Sequence, residues 1–344
     1  MHLFRFAGAL AMLAGAALAA DKQNTLVVTT SNAANNQLLV YSDRGVLLQT
    51  ISTNGKGGVS NNAGGIAVQG NLLVNVNFGS RSVSLFERTG NGFTFRQVIT
   101  TASNPLSVAF GNAHLYILGD TRVESHSVHG SSISAAPDGI ATLLKADGSA
   151  AQVGIVTNAL VITEKSNAIE TVALNAGGAI AGQATLVQNI PANVDTPFGL
   201  ITRGNNAYVT IAHADEISLL RNGIVLTTTP TSSFPGPVQH APCWLALVGP
   251  FLYSSNSPSH SASRYAVYGQ KIVPDLAIAA TFNGAPTDIA SGGDLVAVID
   301  GNGPVSHLSI FTVDEDGNLA SQGVATIASP ANGVVVVGPV REDD

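Results

Sequence analysis

The sequence is poor in charge. It has 15 Lys or Arg and 22 Asp or Glu among 344 residues, so 11% of the chain is charged, where a typical domain has about 25%. The formal net charge is −7, and binding to a phosphate backbone needs clustered basic residues, so no nucleic-acid partner is expected. A hydrophobic fraction of 45% and a positive mean hydropathy exclude a disordered chain.

Cysteine and long apolar runs are also scarce. Cys243 is the single cysteine, so no intramolecular disulfide can form. Beyond the N-terminal segment, no apolar run approaches the ~20 residues that a membrane-spanning helix needs, and we expect no membrane span. No local motif is typical of a metal site, a phosphate loop or a Gly-x-Ser-x-Gly nucleophile. We therefore expect neither a metal nor a cofactor.

The N-terminal segment has the pattern of a secretory signal. Arg5 precedes an apolar stretch over residues 6–18, which ends at the small-x-small sequence Ala17-Leu18-Ala19. The stretch is shorter than a membrane span, which disfavours the alternative of a membrane anchor. The pattern predicts a signal peptide over residues 1–20 and a secreted or periplasmic protein.

A recurring phrase divides the rest of the chain. A small or polar residue and Pro precede an apolar strand at Pro105, Pro197, Pro242, Pro286 and Pro330. The third residue after each Pro, or its counterpart where Pro is missing, recurs at intervals from 42 (66 to 108) to 47 residues (153 to 200). These positions are Ile66, Val108, Val153, Leu200, Leu245, Ile289 and Gly333. Seven positions at similar spacings indicate seven repeats.

The repeat length and the two ends predict an all-β, seven-bladed β-propeller. Each repeat contains several short Val/Ile/Leu/Thr runs separated by Gly, Asn, Asp, Ser and Pro, and four strands per ~45 residues is typical of a propeller blade. Three strands (26–30, 37–41 and 47–51) precede the first repeat, and one (333–337) follows the last phrase. We expect the C-terminal strand to complete the N-terminal blade as its innermost strand, within one domain over residues 21–344.

Several of these segments resemble the lactonase-like seven-bladed propellers, relatives of 6-phosphogluconolactonase and of the fungal carboxymuconate-lactonizing enzyme. The resemblance lies in Thr196-Pro-Phe-Gly-Leu, in Ala241-Pro-Cys-Trp-Leu-Ala and in the Leu-Val…Ser…Val/Ile pattern of residues 73–83 and 160–169. It implies the propeller fold and places Glu164 where some members of the family have a catalytic acid/base. Ala212 stands where the family often has Glu, and Ser107 and Trp244 stand where the better-known lactonases have His.

In a propeller, the loops from second to third strands and from fourth strands to the next blade surround one mouth of the central channel, where we expect a small-molecule site. Opening a lactone needs a group that activates water and donors that stabilise the oxyanion. The predicted catalytic residues are Glu164, His213 and His240. The predicted substrate-binding residues are Asn77, Arg81, Asn256, His260 and Asp300. The hypothesis is a metal-independent lactonase or related hydrolase or isomerase.

Alternatives to this hypothesis remain open. A propeller without catalysis could bind a protein or a cell-wall component at the same loops. Glu164 could instead form an ion pair with Lys165 or lie in a solvated turn, and a calcium ion held by oxygen ligands of different blades has no supporting ligand spacing. The hydroxyl-rich segment 254–263 is interpreted as a loop, either a lid or a flexible connector. We expect a monomer that binds a small molecule or a protein ligand.

Overall fold

The computed structural model describes residues 25–188, 190 and 194–339. It consists almost entirely of strands, arranged as seven small antiparallel sheets around one axis. The predicted seven-bladed β-propeller is therefore confirmed. The predicted signal peptide lies outside the described residues.

Each blade is named here with its strands from the channel outward. The closing blade contains β29 (Asn332–Val337), β1 (Leu26–Thr30), β2 (Gln37–Ser42) and β3 (Leu47–Ser52). Blade 1 contains β4 (Ile66–Gln69), β5 (Leu72–Asn77), β6 (Ser82–Thr89) and β7 (Gly92–Thr100). Blade 2 contains β8 (Pro105–Gly111), β9 (His114–Gly119) and β10 (Arg122–His129), with β11 (Ser132–Ile133) and β12 (Gly139–Thr142) outside β10.

The other blades follow the same order. Blade 3 contains β13 (Ala150–Val156), β14 (Ala159–Glu164), β15 (Ala168–Leu174) and β16 (Ile180–Leu186), and blade 4 contains β17 (Pro197–Arg203), β18 (Asn206–Ile211), β19 (Glu216–Arg221) and β20 (Ile224–Pro230). Blade 5 contains β21 (Pro242–Val248), β22 (Phe251–Asn256), β23 (Ser261–Tyr268) and β24 (Lys271–Thr281), and blade 6 contains β25 (Ala285–Gly292), β26 (Leu295–Asn302), β27 (Val305–Val313) and β28 (Leu319–Ile327). Three short 3₁₀ turns span Phe78–Ser80, Ala212–Ala214 and Thr231–Ser233.

The C-terminal strand closes the ring as predicted. β29 pairs antiparallel with β1, with Val336 opposite Val27 and Val335 opposite Val28. The Thr30 hydroxyl also donates a hydrogen bond to the Asn332 carbonyl oxygen across 302 residues of sequence. β29 also packs against the inner strands β25 and β4 of both neighbouring blades. Its valines are buried or half-buried because the strand has a blade on either side.

The inner strands share one irregularity that corrects the predicted alignment. In β8, β13, β17, β21 and β29 the pairing with the second strand shifts directly after the first residue, and in β25 it shifts after the second residue. Asn332 opens β29 opposite Thr30, just as Pro286 lies opposite Asp300. The residue equivalent to Ile289 is thus Val335, and the prediction of Gly333 was wrong. Pro330 lies two residues before its strand, whereas Pro105, Pro197 and Pro242 open theirs and Pro286 is the second residue of β25.

Apolar side chains on both faces of the strands form the core between blades. Leu73, Val74, Leu115, Leu160 and Val209, all in second strands, are fully buried. This packing explains the low charge of the sequence, because only loops and outer strands meet water.

The channel differs between its two ends. We call the upper face the one where the inner strands begin; it carries the loops from second to third strands and from outer strands to the next blade. The roof segment, residues 59–64 of the long connection from β3 to β4, spans this upper mouth. Its carbonyl oxygen at Asn62 accepts a hydrogen bond from Trp244 Nε1 at 3.0 Å, and its Ala63 N–H donates to the Ala151 carbonyl oxygen at 3.1 Å. The roof segment therefore connects blades on opposite sides of the channel.

Candidate functional site

The residues predicted for the site all belong to the upper face, but they fall into two groups. Asn77, Glu164, Asn256 and Asp300 are buried and lie near the ends of second strands. His213, His240 and His260 are exposed on loops, and Arg81, also exposed, directly follows a 3₁₀ turn.

The buried group occupies one equivalent position in different blades. Glu164 and Asn256 lie opposite the first residues of their inner strands, Ala150 and Pro242, and Asp300 lies opposite Pro286, the second residue of β25. Asn77 likewise ends β5. A polar side chain here is enclosed by its own blade and its neighbour, so it must find hydrogen-bond partners inside the protein.

Asn77 is held by several buried hydrogen bonds. Its Oδ1 accepts from Asn36 Nδ2 at 3.0 Å and from the Thr53 hydroxyl at 2.8 Å, while its Nδ2 donates to the Ser84 hydroxyl at 2.7 Å. Because Asn36 and Thr53 flank the outer strands of the closing blade, Asn77 connects the closing blade with blade 1.

Asn256 and Asp300 are similarly engaged. Asn256 Oδ1 accepts from the Ser254 hydroxyl, and its Nδ2 donates to the hydroxyls of Ser261 and Ser263 at 3.1 and 2.8 Å. Asp300 Oδ1 contacts His307 Nδ1 at 2.9 Å. The contacts found at these positions hold strands together. Their predicted role in substrate binding stays a prediction.

Glu164 differs from its three counterparts. It is fully buried; Oε2 accepts a hydrogen bond from the Ser149 hydroxyl at 2.7 Å, and Oε1 has no hydrogen-bond partner. Burial raises its pKa from 4.5 to about 7, and the nearby carboxylates of Glu170 and Asp147 act in the same direction. A carboxyl group that titrates near neutral pH is suited to exchange protons.

A chain of hydroxyl groups extends from Glu164 toward solvent. The hydroxyls of Ser149 and Ser166 lie 2.7 Å apart, and both are only half-buried. The Ser149 N–H donates to the exposed carboxylate of Asp147 at 2.9 Å. Glu164 thus has a hydrogen-bonded route to the upper surface through two serines.

Lys165 connects this cluster to the roof segment. Its Nζ donates to the carbonyl oxygens of Asn61 at 2.8 Å and Ala150 at 2.9 Å, and it lies 5.9 Å from the ring centre of Phe198. Burial lowers the pKa of Lys165. Glu164 and Lys165, both described, form no ion pair, so both structural alternatives considered for Glu164, an ion pair and a solvated turn, were wrong.

The exposed histidines are paired with carboxylates. His213 Nδ1 lies 2.9 Å from the Thr196 hydroxyl and 3.5 Å from Asp195 Oδ1. His240 Nδ1 lies 2.8 Å from Asp215 Oδ2. Both pairs involve the β18–β19 turn of blade 4: the His213 pair connects it to the segment that enters this blade from blade 3, and the His240 pair connects it to the segment that leads to blade 5.

The three predicted catalytic residues do not touch one another. Their loops are connected, because Asn167 Oδ1 accepts the Thr196 N–H at 3.0 Å and Thr196 also contacts His213. Arg81 lies apart from these loops. Its side chain donates a hydrogen bond to the carbonyl oxygen of Ala102, at 2.6 Å, in the connection from blade 1 to blade 2. His260 adopts a positive φ of 50° in the turn between β22 and β23. Their predicted roles stay predictions.

The hydroxyl-rich segment is not a loop, and that interpretation was wrong. Residues up to Asn256 belong to β22 and those from Ser261 belong to β23, so only residues 257–260 form a turn. Ser254, Ser255 and Ser263 are fully buried. Short hydroxyl side chains fit between strands because they form hydrogen bonds there, and composition alone does not distinguish that setting from a loop.

The sequence analysis missed two features of the site. Ser149 was overlooked because it lies 15 residues before Glu164 with no motif joining them. The roof segment was overlooked because the length of a loop says little about its course.

Asp288, a residue of the inner strand β25, was also missed. It stands one residue before Ile289 in β25, where other inner strands carry Ser107, Gln152 or Trp244, and a carboxylate at an otherwise neutral position was the available signal.

The described parts of the chain offer little support for a metal site or for a cysteine nucleophile. Within residues 25–188, 190 and 194–339, no three His, Cys, Asp or Glu side chains lie close enough to hold a metal ion. Cys243 is half-buried and burial raises its pKa to about 12, so its thiol is poorly suited to act as a thiolate nucleophile. No helix among the described residues is long and apolar enough to cross a membrane.

No protein family matches this sequence, and no curated protein does. By its architecture, the chain has the fold of the lactonase-like seven-bladed propellers. Similar solved structures include a functionally unknown protein of Desulfotomaculum acetoxidans, with a TM-score of 0.68 and 11% identity over 92% of this chain and 99% of that one. The periplasmic gluconolactonase of Pseudomonas aeruginosa has a TM-score of 0.64 and 15% identity over 92% and 99%.

A provisionally assigned 6-phosphogluconolactonase of Bacteroides fragilis also has a TM-score of 0.64, with 14% identity over 92% of this chain and 98% of that one. At such identities, likeness shows the fold alone. The expected resemblance to this group of propellers is confirmed in that sense.

Proposed function

We propose that this protein is an exported, metal-independent hydrolase of small lactones or related esters, acting at the upper face beside blade 3. The observation that carries the proposal is the Glu164 carboxyl group: it is buried, has a pKa near 7, keeps one oxygen unpartnered and is bonded through the other to the half-buried Ser149 hydroxyl. Perturbed carboxyl groups of this kind are concentrated at functional sites.

In this proposal, Glu164 acts as a base through Ser149. A water molecule at the Ser149 hydroxyl attacks the carbonyl carbon of the lactone and releases a proton, which passes through Ser149 to the Glu164 carboxylate. The bond between the carbonyl carbon and the ring oxygen then breaks, and the departing oxygen takes up a proton returned by the same route. Lys165 Nζ has three N–H donors and uses two on carbonyl oxygens, so one would stabilise the oxyanion.

Two further observations support this hypothesis. The fold is shared with lactonases, including a periplasmic gluconolactonase, and the sequence begins with a signal-like segment. The exposed His213 and His240 lie on neighbouring loops, where they would contact the part of a substrate that extends beyond blade 3.

The test compares E164Q with a matched control. Glu170 is also fully buried in blade 3, but both of its oxygens accept backbone N–H groups, from Lys145 and Leu144 at 3.1 Å. A panel of γ- and δ-lactones is assayed with wild type, E164Q and E170Q, after unfolding curves show which variants are folded. We expect E164Q to lower kcat at least 100-fold and E170Q to lower it less than tenfold.

The pH profile adds an independent readout. A base with a pKa of about 7 must lose its proton to act, so kcat/KM should rise with pH up to about 7 and then level off. Wild-type turnover without loss in folded E164Q would exclude Glu164 as the base.

A binding propeller is the second candidate, favoured by one observation. The upper mouth is spanned by the roof segment, and three of the four buried residues at second-strand ends have their polar groups engaged within the protein. Absence of turnover on every lactone, together with binding of a protein or cell-wall fraction that H213A and H240A abolish, would favour this second candidate.

A further inference from the structure

The central channel contains a cavity below the roof segment. Its volume is about 530 Å³, which lies within the range of small-molecule pockets. Every inner strand contributes to its wall, and most of the lining side chains are apolar, as with Val68, Phe110 and Ile155.

This cavity opens on the lower face, opposite the predicted lactonase site. Four inner strands become more exposed toward their ends: in β8 the first four residues are buried and the last three half-buried, and the last two residues of β17 and β21 and the last three of β25 are half-buried or exposed. At the upper end, the Trp244 indole and Ala63 of the roof segment close the cavity. A ligand would therefore enter between the ends of the inner strands.

Among the described residues that line this cavity, Asp288 is the one that is ionisable. Its Oδ1 accepts the Ile289 N–H at 2.9 Å and its Oδ2 accepts the Val334 N–H at 3.0 Å. No basic side chain of the described chain forms an ion pair with it. Asp288 is thus a buried acid with backbone donors but no counter-charge.

The other groups around Asp288 do not supply that charge. Strands packed against β25 carry Cys243, Tyr253 and Asp300, of which Asp300 pairs with His307 on β27, and β29 has no titratable side chain. Burial raises the pKa of Asp288 to about 7 despite its two N–H donors. A buried carboxylate normally requires a paired cation.

We propose that the channel binds an organic ammonium ion with an apolar body, which enters from the lower face and pairs its charged nitrogen with the Asp288 carboxylate. The apolar wall buries the body of the ligand, and the carboxylate selects a cation over an alcohol or an acid of the same shape. This site is separate from the proposed hydrolase site, so either assignment can fail without the other.

The probe is 4-phenylbutylamine, compared with 4-phenylbutanol and 4-phenylbutanoate by isothermal titration calorimetry on the full chain. We expect the amine to bind at least tenfold more tightly than the alcohol and the acid not to bind measurably. Affinity for the amine should increase from pH 6 to pH 8 as Asp288 loses its proton, since the amine stays charged throughout.

Three variants locate the site. D288N should remove the preference for the amine and its pH dependence. A109W, which places a bulky side chain near the lower end of the wall without changing the acid, should abolish binding if the protein remains folded. E164Q, on the upper face, should bind the amine as wild type does.

Several results would overturn this proposal. They are equal affinity for amine and alcohol, a preference that survives in folded D288N, binding unaffected in folded A109W, or loss of binding in E164Q. If D288N does not fold, A109W and the pH dependence of wild type still decide the question.

Discussion

The ends of the second strands and the loops just beyond them are close neighbours on the upper face, yet they place similar residues in opposite environments. Asn77 and Asn256 are fully buried and hydrogen-bonded on every side, whereas His213 and His240 have side chains 66% and 60% exposed. A shift of a few residues along the chain separates an inter-blade contact from a solvated loop.

This difference helps to distinguish residues that stabilise the fold from residues that serve function. At the buried position, Asn77 and Asn256 are neutral and hydrogen-bonded, and two other blades carry Gly119 and Ile211 there, so the fold does not need an ionisable side chain at this position. Glu164 occupies the same position with a carboxyl group that is only half engaged. An ionisable side chain here lowers stability at neutral pH, which is the pattern expected where function rather than folding has determined the residue.

The largest effect is expected at Asn77. N77A removes the buried hydrogen bonds that Asn77 forms with Asn36, Thr53 and Ser84, each worth about 0.5–1.5 kcal/mol, and leaves a cavity in their place. We expect the free energy of unfolding to fall by about 3 kcal/mol or more in urea titrations. Asn35, exposed on the same loop as Asn36, provides the control: N35A should change it by less than about 0.5 kcal/mol. Equal effects of N77A and N35A on the free energy of unfolding would contradict the distinction between buried second-strand ends and exposed loops.

An intermediate effect is expected at Glu164, and it depends on pH. The pKa is about 7 in the folded protein and near 4.5 when unfolded, so between these values the folded state keeps a proton that the unfolded chain has lost. Stability contributed by this group is complete below about pH 4.5, declines as the pH rises to about 7, and is then constant. Urea titrations from pH 4.5 to 8 should show E164Q gaining about 1–2 kcal/mol relative to wild type, allowing for solvent screening.

Asp288 contributes to stability with the same sign, because its pKa is also raised to about 7. The free energy of unfolding of E164Q should therefore keep part of its dependence on pH, and that of the double variant E164Q/D288N should lose most of it. A wild-type protein whose stability rises between pH 5 and 7 would contradict both assignments.

The smallest effect is expected at His240. Its contact with Asp215 is solvent-exposed, and such pairs contribute about 0–1 kcal/mol. H240A should lower the free energy of unfolding by no more than about 0.5 kcal/mol. D215A should cost more, since Asp215 Oδ1 also accepts the Ala241 N–H at 2.7 Å. Thermal unfolding of the two variants side by side measures the difference.

Spacing alone was sufficient to predict the fold. The repeated positions from Ile66 to Ile289 all lie in the inner strands of their blades. The three N-terminal strands and the one C-terminal strand correctly predicted the closing blade. The alignment failed only at Pro330, where the proline precedes the strand instead of opening it. Regular spacing reflects the size of a blade, which depends little on individual side chains.

The site was less predictable for physical reasons. Sequence position identifies the end of a second strand, but the neighbouring blade determines whether a side chain there is buried, as with Asn256 and Glu164. The roles of Ser149 and Trp244 depend on contacts with segments that are distant in sequence, and no local sequence pattern indicates those contacts. The segment 254–263 was misread because buried serines in strands have the composition of a loop.

The pairing of β29 with β1 joins segments that are far apart in synthesis. Until β29 emerges, the closing blade lacks its innermost strand, and β1 and β25 lack the strand that packs against both of them. Formation of this non-local contact should therefore be a late and slow step. A chain permuted to begin at β4, with β29 linked directly to β1, would form the closing blade from consecutive strands and should refold faster while keeping the same ring.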